Sequence, residues 1–292
     1  MGAVIAPLTL LAFLHSVYVP SRLGLSSERV RQLEICIRQF QDWAGRTLSL
    51  PDLSEESIRS FLSFLLQSMA PNTVNTRRSM LLALWRCAWE EEYLSNPPRA
   101  CKVRRAKVPP TIPEAWSPEE VRRVFDAARH AAGEIAGIPA CDWWGSILSV
   151  AYDTGERRTA LLLTEPADLS LDKCSIIFRH RKGNRPRWCA LHPDTIAACR
   201  RIYDPCRARV WPFPARREAL DDRFGWILKR AGVRHAPSMG LFHGMRRSAG
   251  TIAEANGADG AKLIGCTRKV FEQHYLDPRF LDRSQLDKLP RP

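Results

Sequence analysis

Residues 96–116 interrupt the helical pattern of the chain and divide it into two parts. This segment holds five prolines and five basic residues but only one acid, Glu114. Proline disfavours helix in the residue before it and stiffens an extended chain. We therefore predict a first domain over residues 1–106, a linker over 107–113 and a second domain over 114–292. The basic charge of the segment suits a strand lying along a phosphate backbone, although a solvated linker has the same composition.

Apolar residues recur at helical spacing in the first domain, which predicts a compact bundle of about four helices. Residues 27–44 form one amphipathic pattern that Gly45 closes, Ser54 precedes a second pattern, and Pro71 starts a third. The apolar N-terminal segment lacks the basic residues and the cleavage pattern of a signal peptide, and Pro7 interrupts it. We expect this segment to be a helix packed in a core.

The second domain is predicted to be mainly helical with a small antiparallel β-sheet. Ser117 and Glu120 form a capping box around Pro118, which predicts a helix start. The spacing of apolar residues then changes from helical to that of short strands, which we predict at 168–172, 175–180 and 187–191. Further helices are predicted at 193–203, 217–231, 243–256 and 267–275.

The chain carries a net charge of +13, and both predicted domains contribute to the excess of basic residues. A polyanion that contacts both domains is the natural partner, and nucleic acid is the most common polyanion. Charge that serves solubility alone is the other interpretation.

Nine cysteines are present, an odd number, and none lies in a CxxC pair or a Cys/His cluster. This pattern argues against a zinc site or a disulfide framework and favours free thiols in a reducing cytoplasm.

Four motifs follow one another in the second domain: YDTGERR (152–158), RKGNRPRWCAL (181–191), HGMRR (243–247) and LIGCTRKVFEQHYLDP (263–278). In this order they resemble the boxes of the tyrosine recombinases, the phage integrase family. Residues 73–98 look like the core-binding domain of the same family, so the resemblance covers nearly the whole chain. It implies a helical core-binding domain and a mainly helical catalytic domain that together clamp duplex DNA.

The resemblance also implies a role for each motif residue in DNA strand cleavage. Tyr275 is the expected nucleophile, forming a 3′-phosphotyrosine link, and Arg157 and Arg246 are expected to clamp the non-bridging oxygens of the scissile phosphate. Lys182, at the hairpin tip, is expected to protonate the departing 5′-oxygen. His243 is expected to bind the phosphate or to help take the tyrosine proton.

The sequence departs from the family pattern at three positions. Cys266 stands nine residues before Tyr275, where the family has His or Trp, and we include it among the candidate catalytic residues. Ala160 replaces an acid that commonly follows the first arginine, and Glu156 places an acid beside Arg157. If Cys266 lies beside the two arginines, their charge is expected to favour a thiolate.

The resemblance implies site-specific DNA strand exchange on double-stranded DNA by a homotetramer in the cytoplasm, with no cofactor, metal, membrane or small-molecule substrate. A type IB topoisomerase-like strand transferase and a catalytically silent DNA-binding relative stay open as alternatives. The tail after Tyr275, with Phe280 and Leu281, could dock on a neighbouring subunit or fold back in cis. Basic residues expected to contact DNA are Arg77, Arg78, Arg99, Lys102, Arg104, Arg105, Lys107 and Arg247.

Overall fold

The computed structural model describes residues 8–180, 185–214, 217–234 and 241–281. The chain divides into two compact units, residues 1–110 and 111–292, and each has its own hydrophobic core. The division falls inside the predicted linker. The described residues are mainly helical with small antiparallel sheets, which confirms the predicted fold class.

The first unit is a helical bundle. Its N-terminal apolar segment forms helix α1, Leu10–Phe13, which continues as a turn of π-helix over Leu14–Tyr18, and Leu10, Phe13 and Leu14 are fully buried. The remaining helices are α2 (Ser27–Ala44), α3 (Glu55–Leu65) and α4 (Pro71–Glu90). Helix α2 has the predicted bounds, and it ends at Gly45 in the left-handed conformation.

The second unit has the predicted capping box at its first helix. Ser117 Oγ accepts from the Glu120 backbone N–H at 3.2 Å, and the Glu120 carboxylate accepts from the Ser117 N–H at 2.9 Å. The helices are α5 (Pro118–Arg129), α6 (Ala140–Thr154), α7 (Arg158–Leu162), α8 (Pro193–Arg200), α9 (Arg217–Arg230), α10 (Leu241–Ala255), α11 (Gly260–Ile264) and α12 (Arg268–His274).

Two small antiparallel sheets complete the second unit. The first pairs β1 (Glu134–Ile135) with β2 (Ile138–Pro139). The second has the order β3-β4-β5, from Leu169–Ser170, Ser175–Phe178 and Arg187–Ala190. These last three strands lie within the three predicted ones, and residue pairs such as Phe178 with Arg187 set their register.

The core of the second unit surrounds α6, whose Trp143 and Trp144 are buried and pack edge to face. A separate small cluster brings Ile264, Phe271 and Tyr275 together. This cluster joins α11 to α12 and so places the C-terminal motif.

None of the helices in the described residues has the length and apolar character needed to cross a membrane.

Candidate active site

The loop between α6 and α7 presents Arg157. Thr154 ends α6 with its hydroxyl bonded to the Val150 carbonyl at 2.6 Å, and Gly155 follows with φ of 56°. A left-handed residue reverses the chain at a helix end and favours glycine. Arg157 then begins α7 in an extended conformation, with one third of its side chain exposed.

Gly155 is also a place of close approach between two motifs. A Cβ built on Gly155 would lie 2.5 Å from Cγ2 of Ile264, which α11 contributes. Real Cβ contacts are not that short, so only glycine lets the two segments meet at this distance. The first-arginine motif and the C-terminal motif are therefore packed directly together.

Arg246 lies beneath this loop and is almost fully buried, with 1% of its surface exposed. Its Nη1 donates to the carbonyl of Gly155. Its Nε and Nη2 are buried and have no hydrogen-bond acceptor among the described residues. Burial lowers the pKa of Arg246; the neighbouring Tyr275 opposes this shift and the charge of Arg157 adds to it, and the net pKa is lowered. A buried cation with unused donors is a site that an anion would stabilise.

Tyr275 packs against this guanidinium. The Arg246 guanidinium carbon lies 4.9 Å from the centroid of the Tyr275 ring, which is itself 9% exposed. The tyrosine follows directly on α12, and its backbone carbonyl accepts from the hydroxyl of Thr251 at 3.0 Å. The same hydroxyl accepts from the Asp277 N–H at 3.1 Å, so one threonine on α10 holds both residues.

Asp277 fastens the segment that follows the tyrosine. Its fully buried carboxylate accepts from the Ala115 N–H at 2.8 Å and from Arg279 Nε at 2.9 Å and Nη2 at 2.7 Å. Burial alone raises the pKa of this carboxyl, but the bonds from Arg279 and Ala115 outweigh it and the net pKa is lowered. Residues 276–281 therefore fold back on their own unit, whereas the later part of the tail lies outside the described residues.

Trp116 ties the start of the second unit to α10. Its backbone N–H donates to Ser248 Oγ at 2.7 Å, and its indole N–H donates to the Arg234 carbonyl at 3.2 Å. The indole lies where a Cβ on Gly244 would be, at 2.3 Å. Sequence reasoning missed Trp116, Ser248, Thr251 and Asp277, because their partners are distant in sequence.

Comparison with known proteins gives consistent relatives. No family model matches the chain. The chain is 24% identical over 207 residues to a putative integrase/recombinase of Sinorhizobium fredii, y4qK, covering 68% of this chain and 59% of the relative. A second one from the same organism, y4eF, is 24% identical over 63% of this chain and 66% of the relative. The chain thus spans less than two thirds of the length of both. Tyrosine recombinase XerA of Thermococcus kodakarensis is 24% identical, over 81% of this chain and 78% of that protein.

Solved structures agree on the fold. A lambda integrase dimer bound to a COC′ core site superposes with a TM-score of 0.69 and 16% identity, covering 90% of this chain and 93% of that one. The Tn1549 transposon integrase superposes with a TM-score of 0.66 and 13% identity, over 97% and 100% of the two chains. The chain has the fold of a tyrosine recombinase.

This recombinase fold brings together four of the six candidate catalytic residues. Arg157, Arg246 and Cys266 lie within electrostatic reach of one another, and Tyr275 stacks on Arg246. His243 is exposed on α10, three residues and about one turn before Arg246. Lys182 lies outside the described residues.

The two arginines favour a Cys266 thiolate, as expected, but they do not decide the net direction of its pKa shift. Burial raises the pKa of the Cys266 thiol, and the opposing charges of Arg246 and Arg157 do not cancel that effect. The thiol is partly buried beside the small core of α11 and α12. Desolvation outweighs the neighbouring guanidinium groups at this position.

Two of the expected DNA contacts have structural partners instead. Arg78 is 8% exposed and donates through Nε to the Val103 carbonyl and through Nη2 to the Ala100 carbonyl at 2.8 Å. Arg77 is also 8% exposed and reaches the Gln32 carbonyl at 3.3 Å. Both arginines lie on the core side of α4, so we revise their role from phosphate contact to support of the first unit. Arg78 holds the basic segment against α4.

The other basic residues of this segment remain at the surface. Arg99 forms a bidentate pair with Glu55, at 2.6 and 2.9 Å, yet two thirds of its side chain is exposed. Lys107 is exposed as well. A cavity of about 480 Å³ has four exposed basic residues in its lining, beside apolar and uncharged ones: Arg59, Lys102, Arg104 and Arg105. Sequence reasoning missed Arg59.

Arg247 is half-buried on α10, one residue after Arg246. Its Nη1 donates to the Glu114 carbonyl at 3.2 Å, and burial lowers its pKa. Its Nε is buried and has no acceptor among the described residues.

Among the described residues, no group of three or more His, Cys, Asp or Glu side chains has the arrangement of a metal site.

Proposed function

We propose that this protein is a site-specific DNA recombinase or integrase that cleaves and rejoins DNA strands through a 3′-phosphotyrosine intermediate. The observation that carries the proposal is the buried guanidinium of Arg246, which stacks on Tyr275 and has two unused donors. A phosphodiester oxygen is the acceptor that such donors fit, because a guanidinium gives planar, charge-assisted bonds to an oxyanion.

In this reaction the Tyr275 oxygen attacks phosphorus and the bond from phosphorus to the 5′-oxygen breaks. The departing oxygen takes a proton, for which Lys182 is the proposed donor. Arg157 and Arg246 stabilise the charge that develops on the non-bridging oxygens. His243 contacts the phosphate or assists removal of the tyrosine proton. The phosphotyrosine keeps the energy of the broken bond, so a free 5′-hydroxyl can reverse the step without ATP.

Double-stranded DNA is the proposed substrate, with the exposed basic surface of the first unit lying along its phosphates. Arg99, Lys102, Arg104, Arg105 and Lys107 are the proposed contacts there, and Arg247 is proposed in the second unit. The relatives include lambda integrase as a dimer on a core site and as a tetramer on a Holliday junction. By analogy we propose a homotetramer on paired sites, acting in the cytoplasm.

Covalent capture tests the proposal. Nicked duplexes tiled across the DNA that flanks the coding region are incubated with the protein, and adducts stable in denaturing gels are counted. We expect Tyr275→Phe to abolish the adduct while DNA affinity stays within about threefold, because only the attacking oxygen is lost. Tyr203→Phe is the matched control, since Tyr203 lies outside all four motifs, between the second and the third, and its hydroxyl donates to the Pro166 carbonyl at 3.5 Å.

The outcomes separate the alternatives. An adduct that persists in Tyr275→Phe would remove Tyr275 as the nucleophile. DNA binding without any adduct in the unmodified protein would favour the silent DNA-binding relative. Adducts with relaxation of supercoiled DNA but without exchange between two sites would favour a topoisomerase.

A further inference from the structure

The carboxylate of Glu156 lies inside the arginine cluster of the proposed site. Its side chain is fully buried. Oε1 accepts from the backbone N–H of Arg157 at 2.9 Å and lies 4.0 Å from Nη1 of the same residue. A buried carboxylate is stable only where cations and donors surround it.

Arg187 is the second cation on this carboxylate. Its Nη1 lies 3.5 Å from Glu156 Oε2 and donates to the Thr154 carbonyl at 3.0 Å. Its Nη2 donates to the carbonyls of Lys262, at 3.2 Å, and Leu263. Arg187 therefore joins strand β5 to the loop of Arg157 and to α11.

Three different groups of the loop of residues 154–157 thus contact three arginines. The Thr154 carbonyl holds Arg187, the Gly155 carbonyl holds Arg246, and the Glu156 carboxylate contacts Arg157 and Arg187. Three buried or half-buried guanidinium groups repel one another, and a single carboxylate among them offsets part of that repulsion. Ala160, where the family commonly has an acid, supplies no charge.

We infer that Glu156 is a positioning residue for strand cleavage, acting through Arg157 and Arg187. It fixes the start of α7 and the direction of the Arg157 side chain, so that Arg157 and Arg246 meet the same phosphate. This inference rests on the proposed function.

Glu156→Gln is the main test, because the amide keeps the shape and the acceptor for the Arg157 N–H but removes the charge. Single-turnover adduct formation is measured at saturating DNA, alongside the Kd for the same nicked duplex. We expect adduct formation to slow by about 10- to 100-fold, since a misplacement near 1 Å has effects of that size, with Kd within about threefold. Glu165→Gln is the matched control, because Glu165 also pairs with an arginine, Arg209, but half of its side chain is exposed.

If Glu156 acts through Arg157, the effects of substituting the two residues on the rate of adduct formation are not additive. In an Arg157→Lys background, Glu156→Gln is expected to slow adduct formation by less than about threefold, because the positioned group is already lost. Glu156→Asp keeps the charge but shortens the side chain, and about a fivefold loss is expected. This variant carries the test if circular dichroism shows that Glu156→Gln does not fold.

Three results would overturn the inference. One is Glu156→Gln cleaving at the unmodified rate. Another is that Glu156→Gln slows adduct formation by the same factor in the Arg157→Lys background as in the unmodified protein, which would mean that Glu156 acts independently of Arg157. A third is tighter DNA binding with unchanged or faster cleavage, which would mean that Glu156 only lowers the local positive charge. Failure of the unmodified protein to form any adduct would instead refute the proposed function.

Discussion

Replacing Gly155 by alanine tests whether the close approach between two motifs sets the geometry of the arginine cluster. The left-handed conformation, with φ of 56°, costs an L-residue roughly 1–2 kcal/mol. The new Cβ would also meet Ile264 Cγ2 at 2.5 Å, and overpacking of this kind costs roughly 1–3 kcal/mol. Together, we expect Gly155→Ala to lower the free energy of unfolding of the second unit by about 2–5 kcal/mol.

Gly232→Ala separates the two contributions. Gly232 has a similar φ of 63°, yet a Cβ built there meets nothing within 4 Å. We expect this control to lose only the roughly 1–2 kcal/mol of the left-handed conformation. The difference between the two variants, about 1–3 kcal/mol, then measures the contact with Ile264.

Urea unfolding followed by tryptophan fluorescence, fitted with one transition for each unit, gives these free energies. Ile264→Ala removes Cγ2 but leaves Cβ and Cα of residue 264 at 3.1 and 3.3 Å from the new Cβ, so in that background the excess cost of Gly155→Ala over Gly232→Ala is expected to shrink. Equal losses for Gly155→Ala and Gly232→Ala in the otherwise unmodified protein would refute the packing argument. We also expect slower adduct formation from Gly155→Ala, since the Gly155 carbonyl holds Arg246.

Three further predictions follow from the contacts. Arg78→Ala should destabilise the first unit by about 3 kcal/mol in urea unfolding, because two hydrogen bonds from a charged donor are lost. Arg104→Ala should leave stability unchanged and reduce the steepness of log DNA affinity against log salt concentration by about one. Asp277→Asn should destabilise the protein at neutral pH; because the folded pKa lies below the ordinary 3.8, this difference should shrink in unfolding measurements as pH falls below that value. Cys266, whose pKa is raised, should alkylate more slowly at neutral pH than the exposed Cys206, by mass spectrometry, and equal rates would contradict its burial.

Helix ends were predictable from the sequence because their determinants are local. Ser117 and Glu120 bond each other across three residues, and Gly45 ends α2 through its own conformation. The change from helical to strand period at residue 168 likewise located the small sheet. Such interactions span one turn or one hairpin, so they are readable without knowledge of the fold.

The candidate site was predictable only through the order of motifs that resemble a family. Arg157, Arg246 and Tyr275 are separated by tens of residues, and each occurs in a short, common pattern. Periodicity placed Arg246 on a helix but did not indicate that its guanidinium would be buried against the Gly155 carbonyl. That contact depends on how α10 packs against the end of α6.

Tertiary structure alone decided which charges are structural and which are free to bind. Arg77, Arg78 and Arg104 look alike in the sequence, but α4 turns the first two toward the core, where the Gln32 and Val103 carbonyls are their acceptors. Glu156 looked like a departure from the family, and packing places it among the arginines. The sequence by itself determined most of the helices, the strands of the larger sheet and the chemical types available, but not α7, α11, β1 or β2. The partners of each buried charge were decided by tertiary structure, because the free energy of a buried ion depends on groups brought near it from distant parts of the chain.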